Sequence, residues 1–213
     1  MAGSISTDIL TGHGGPPPPP LPRGGDGDSG GRGASRRASF TGLMVVLAAS
    51  IMLFAAFTSA FIVRRGLSDD WVHLELPPIL WANTAVLFAS SVVLELARRA
   101  LRAGNRSSFN WMWTAGTALG ALFLGGQYLA WQQLHQAGIY LATNPSSSFF
   151  FLLTCAHAVH LIGGMGALGY VNVQALRLRL GPGKRTAVDV CAVFWHFLDV
   201  MWVYLLCLFL IWG

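Results

Sequence analysis

The chain has 213 residues, 54% hydrophobic and 11% charged, with a formal net charge of +5. A soluble domain carries roughly a quarter charged residues, yet no Asp, Glu, Lys or Arg occurs in the 70 residues between Arg106 and Arg177. Such a chain has no polar face to show to water, which excludes a soluble globule and indicates an integral membrane protein. Its basic residues gather at the ends of apolar blocks, so the charge points to membrane topology and not to a nucleic-acid partner.

Residues 1–38 read as a separate tail. Five prolines at 16–20 are followed by a Gly/Asp/Ser/Arg stretch with almost no large apolar residue. Such a segment buries too little surface to offset its ordering entropy and is expected to be disordered and cytoplasmic, with His13 solvated. The first apolar block is too long for a secretory h-region and reads as a span.

Five blocks of bilayer length follow in residues 39–213, at about 41–63, 78–97, 111–131, 148–171 and 190–212. About 20 apolar residues at 1.5 Å each cross a hydrocarbon core. The expected fold is all-α, a polytopic bundle of five transmembrane helices with short loops and antiparallel sequence neighbours. Counting Lys and Arg places twelve on the side of the tail, the second-to-third loop and the fourth-to-fifth loop, against Arg64 and Arg65 on the other. That bias puts the N-terminus in the cytoplasm and the C-terminus outside. Eight tryptophans include Trp71, Trp111, Trp113, Trp131 and Trp212 near span ends, as interfacial belts do. Cys155, Cys191 and Cys207 lie in apolar blocks without metal or disulfide spacing and read as small core residues.

Ionisable groups within spans are functional-site hypotheses by default. Glu95 stands close to Arg98 and Arg99, which suggests interfacial pairing, and Asp189 reads as a helix N-cap or first-turn acid. Asp199 lies about ten residues into the fifth span, with His196 three residues before it; His157 and His160 have the same spacing on the fourth span. Antiparallel packing would bring these groups to a common depth. Three readings follow: a structural polar lock in which Asp199 accepts from His and Trp donors, a proton-relay or transport site, and a metal or haem site. Trp195 and Trp202 lie deep enough to need acceptors for their indole N–H groups. Asn83, Thr84, Ser90, Ser91 and Gln127 read as interhelical hydrogen-bond partners. Gly163, Gly164, Gly166 and Gly169, with Gly120, Gly125 and Gly126, read as close-packing stripes. His73 and His135 read as surface histidines. No catalytic residue and no metal site is assigned.

The run Phe194-Trp195-His196-Phe197-Leu198-Asp199-Val200-Met201-Trp202, closing on Ile211-Trp212-Gly213, resembles the last helix of subunit III of haem-copper oxidases. Phe149-Phe150, Thr154-Cys155-Ala156-His157-Ala158-Val159-His160 and Gly163-Gly164 are similar to the family's preceding helix. Asn83-Thr84, Ser90-Ser91 and Gly120 to Gln127 match the earlier ones. The resemblance covers about residues 40–213 and corresponds to the shorter, five-helix form of a family whose larger form has seven. It implies an accessory subunit with no redox centre of its own, binding phospholipid and stabilising the catalytic subunit of a cytochrome c oxidase in a bacterial plasma (inner) membrane. Haem and copper are then expected in partner subunits I and II, with other respiratory complexes as further partners. The His/Asp/Trp set becomes family structure. Ser50 and Ala130 stand where the family often has glutamates, so no proton-antenna role carries over to them. A subunit III serving a quinol oxidase or nitric oxide reductase is the alternative within the fold. An independent transporter or membrane haem protein using the His/Asp cluster is the alternative outside it.

Overall fold

The structure, a computed structural model, describes residues 27–67, 78–136, 145–177 and 185–212, and these are helical apart from short turns. Five helices follow in chain order: α1 (Gly27–Leu67), α2 (Ile79–Arg102), α3 (Arg106–Gln136), α4 (Pro145–Leu176) and α5 (Arg185–Trp212). Every expected block falls within one of them, the second but for its first residue, Pro78, which caps α2. The first differs most, because residues 27–38, read from composition as disordered tail, are helical. Once the apolar block has nucleated a helix, each added residue gains a hydrogen bond at little further cost, so the helix propagates into polar sequence. The proline run, His13 and the connections holding Trp71 and His73 lie outside the described residues.

The turn between α2 and α3 is short because its residues suit it. Gly104 takes a left-handed φ of 81° that a side chain would resist. Around it, Ala103 N–H donates to the Arg99 carbonyl at 3.0 Å and Asn105 N–H to that of Ala100 at 3.0 Å. The Asn105 side chain then accepts from Ser108 N–H at 3.1 Å, capping α3. The result is a tight antiparallel hairpin.

Four helices, α1 (over Arg36–Leu67), α2, α4 (over Ser147–Leu176) and α5, are long and apolar enough to cross a bilayer, and the protein is a multi-pass membrane protein. The helix α3 is not among them, although the sequence reading counted it as a span. At 31 residues it is long enough, about 47 Å. Asn110, Thr114, Thr117, Gln127, Gln132 and Gln133 lower its mean hydropathy, and Gln127 is buried within the bundle.

The α2–α3 hairpin packs against the α4–α5 pair, α3 on α4 and α2 on α5. The first helix does not pack closely on its sequence neighbour α2. It packs on α4 and α5, across from α2, and runs parallel to α5. Tyr204 Oη donates to Thr58 Oγ1 at 2.9 Å, Phe61 meets Phe209 edge-on, and the Arg65 guanidinium lies over Trp212. The aromatic surface of α1 finds its complement there, while α2 packs along α3.

Only some of the glycines pack closely. A Cβ on Gly120 would lie 2.7 Å from the Trp195 ring, one on Gly116 2.7 Å from Leu94, and one on Gly164 3.0 Å from Leu198; Gly126 seats the Asn83 amide. Gly125, Gly163, Gly166 and Gly169 face open space, so the stripe expected on α4 is real only at Gly164. Trp113, expected in an interfacial belt, is fully buried and donates to the Leu168 carbonyl at 3.1 Å. Cys155 and Cys207 are exposed and Cys191 is half-buried, not core residues. In a membrane helix an outward apolar side chain meets lipid, so hydrophobicity alone does not sort inside from outside.

Candidate functional site: a polar seam between α2 and α5

Ser91, Glu95, Arg98 and Arg102 recur on α2 at helical spacing and form one row. Asp189, His196 and Asp199 answer them from the antiparallel α5. At the buried end, Ser91 Oγ donates to Asp199 Oδ2. His196 Nδ1 lies 3.5 Å from the same oxygen, and its Nε2 lies 3.9 Å from Glu95 Oε2. Glu95 accepts from Arg98 Nη1 at 2.8 Å and pairs with Arg99 Nε at 3.5 Å. Arg98 also donates to Asp189 Oδ1 from Nη2 at 2.8 Å and from Nε at 3.2 Å, and Arg102 Nη2 approaches that oxygen at 3.4 Å. Acids and bases therefore alternate from the helix ends to a carboxylate that is 5% exposed in the bundle.

Beyond Asp199 the seam turns aromatic. Trp202 Nε1 donates to Thr84 Oγ1 at 2.9 Å, and Thr84 in turn donates to the Leu80 carbonyl at 2.7 Å. Trp202 stacks on His157 at 5.4 Å and meets Phe123 edge-on. Asn83 Nδ2 donates to the Phe123 carbonyl at 3.1 Å and Ser90 Oγ to that of Gly116 at 2.9 Å, tying α2 to α3.

The four ionisable groups do not converge at one point, although their depths allowed it. His196 and Asp199 face α2, and His157 lies in the core on Trp202. His160 turns toward α1, donating from Nδ1 to the Ala156 carbonyl at 2.7 Å with its ring 5.5 Å from Phe54. Helical phase separates them: His157 and His160 are three residues, and therefore about 60°, apart around α4. Among the described residues no group of three His, Cys, Asp or Glu is placed to hold a metal ion. Gln127, the Trp195 indole, the His157 ring and Asp199 Oδ1 are buried without a hydrogen-bond partner among the described residues. Ser50 is buried and donates to the Val46 carbonyl of its own helix at 2.8 Å, and Ala130 is fully buried.

Asp189 is the residue the sequence reading placed least well. It is the fifth residue of α5, beyond the capping position, and its carboxylate bridges to α2. The legible signals were its spacing of seven from His196, two helical turns, and the periodic row on α2. His135, read as an isolated surface histidine, sets its ring 5.7 Å from that of Phe151.

The family described as Cytochrome c oxidase subunit III matches residues 35–213. A cytochrome c oxidase subunit 3 of Thermostichus vulcanus is 32% identical over 172 residues, 77% of this chain and 82% of that protein. A probable cytochrome c oxidase subunit 3 of Nocardia farcinica is 27% identical over 170 residues, 76% of this chain and 82% of the relative. The subunit 3 of Gallus gallus is 29% identical over 165 residues, 75% of this chain and 62% of a longer protein. With the matched region taking in α2 to α5, most of α1 and the whole seam, the chain belongs to the cytochrome c oxidase subunit III family, the accessory third subunits of haem-copper oxidases.

Proposed function

We propose that this chain is a non-catalytic subunit of a proton-pumping terminal oxidase in a bacterial plasma membrane. Oxidase subunits I and II are its partners and hold the haem and copper that reduce oxygen to water. The chain itself stabilises the catalytic subunit and binds phospholipid. All five helices cross the membrane, α3 with Gln127 buried in the bundle and the exposed Gln132 and Gln133 close to its end. The Lys and Arg excess puts the start of α1, the α2–α3 turn and the start of α5 on the cytoplasmic side.

The observation that carries the non-catalytic reading is the engagement of the Trp-His-Phe-Leu-Asp run. Asp199, His196 and Trp202 are taken up by Ser91, Glu95 and Thr84 across one helix interface, which supports a structural lock. A buried carboxylate held in this way fixes the register of two helices, because sliding either one strands a polar group in an apolar interior.

The test is purification of the tagged chain in mild detergent, with a reduced-minus-oxidised spectrum and mass spectrometry of the eluate. Haem absorbance with a large co-purifying membrane subunit is expected, and the partners found distinguish a cytochrome c oxidase from a quinol oxidase or nitric oxide reductase. A colourless, solitary 22.9 kDa protein refutes the proposal. In the assembled oxidase, Asp199→Asn is expected to shorten the active lifetime while haem per catalytic subunit stays constant.

A further inference from the structure

Six buried side-chain nitrogens and oxygens lack a hydrogen-bond partner among the described residues, and four of them belong to just two residues, Gln127 and His157. Each of the two is 1% exposed. The interior around them is otherwise well satisfied. Asn83, Thr84, Ser90, Trp113 and Trp202 all donate to a nearby oxygen. The unpaired groups are therefore concentrated at one place and do not reflect a loosely joined bundle.

Gln127 and His157 come to one level on facing helices. Trp131 Nε1 on α3 donates to Thr154 Oγ1 on α4 at 3.3 Å, and farther along the same contact a Cβ on Gly120 would lie 2.9 Å from the Met165 sulfur. A step along α3 is thus matched by a step back along α4. Gln127 stands one turn before Trp131, and His157 stands about one turn after Thr154, which sets both at the same height between those contacts. Trp202 links their surroundings, since its ring meets Phe123, one turn from Gln127, and stacks on His157.

The chemistry of the pair defines what it can hold. An imidazole presents one N–H and one lone pair on opposite sides of its ring, and a primary amide presents two N–H groups and a carbonyl. A direct bond between the two side chains satisfies one donor and one acceptor, leaving a ring nitrogen and an amide atom unpaired. The set carries no fixed charge that would hold an ion, and it is too polar for an apolar guest. A small neutral molecule that both donates and accepts twice fits it. Buried waters have this character, each making about three hydrogen bonds to groups that otherwise lack partners.

We propose that ordered water is bound at the centre of the bundle between Gln127 and His157. It joins α3 to α4 midway between the two direct ties, Trp113 to the Leu168 carbonyl and Trp131 to Thr154. The site uses only side chains of this chain and is independent of which oxidase the chain serves.

Two measurements test it. The first is a cryo-electron-microscopy map of the assembled complex at a resolution that shows ordered water. Density is expected within hydrogen-bond distance of both Gln127 and His157. A direct contact between the two side chains with no density beside it overturns the site. The second is water-edited solid-state NMR of the full, nitrogen-15-labelled chain in liposomes. Magnetisation from water protons is expected to reach the His157 ring nitrogens. It is not expected to reach the Trp113 indole nitrogen, which is equally buried but bonded to a carbonyl. Gln127→Leu is expected to remove most of the transfer to His157, and Gln132→Leu, exposed on the same helix, to leave it unchanged. No transfer to His157, equal transfer to Trp113, or equal effects of the two substitutions overturns the proposal. The map is recorded on the unsubstituted protein, so it decides the matter even where a variant fails to fold.

Discussion

Gly120 and Gly125 allow the packing argument to be tested within one helix. Both lie on α3, five residues apart, and Gly→Ala gains the same helix propensity at each, about 1 kcal/mol. Their surroundings are opposite. A Cβ at Gly120 would sit 2.7 and 2.8 Å from two carbons of the Trp195 ring and 2.9 Å from the Met165 sulfur, whereas one at Gly125 meets nothing within 4 Å. The thioether of Met165 can move aside. The Trp195 indole cannot readily do so, being rigid and fully buried between α3 and α4. Overpacking of that kind costs about 1–3 kcal/mol. The propensity gain cancels in the comparison, so Gly120→Ala should be about 1–3 kcal/mol less stable than Gly125→Ala. The assay is SDS-induced unfolding in mixed micelles, followed by tryptophan fluorescence and far-ultraviolet circular dichroism. Equal stabilities would refute the reasoning, since they would mean that Trp195 does not rest against the α3 backbone.

Trp202→Phe removes the indole donor to Thr84 and part of a buried ring, and is expected to cost about 1–3 kcal/mol in the same assay. Tyr204→Phe removes only the hydroxyl donated to Thr58, with an expected loss of about 0.5–1.5 kcal/mol. For the seam, the cycle of Arg98→Gln, Asp189→Asn and their combination should give a coupling energy of about 0.5–3 kcal/mol, Arg98→Gln being the worse single change because two carboxylates lose their shared cation. Additive losses would show that the bridge is not made in the membrane.

Which parts of this molecule were legible in advance follows from how a bilayer acts on a sequence. Any segment in hydrocarbon must satisfy its backbone internally, so long apolar blocks become helices whatever their neighbours are. The chain from Thr41 onward could therefore be divided into its five helices without a structure, although α3 is not apolar enough to qualify as a span. The pairing of Glu95 with Arg98 was equally local, one turn of one helix. The partners of Asp199 and Asp189 were not, because they lie 108 and 91 residues away on α2. The inward turn of Trp113 and the exposed glycines of α4 escaped for a further reason: lipid and protein interior are both apolar, so burial leaves a weak mark on composition.

The sequence by itself determined the helices from Thr41 onward and the family, because these depend on composition, spacing and motif. The tertiary structure alone decided that α1 docks on α4 and α5, that His157, His160 and His196 face three different neighbours, and that Arg98 joins Glu95 to Asp189. Those outcomes depend on the rotation of each helix about its own axis. That rotation is set by contacts between residues far apart in the chain, where a few tens of degrees separate a polar lock from a cluster of ligands.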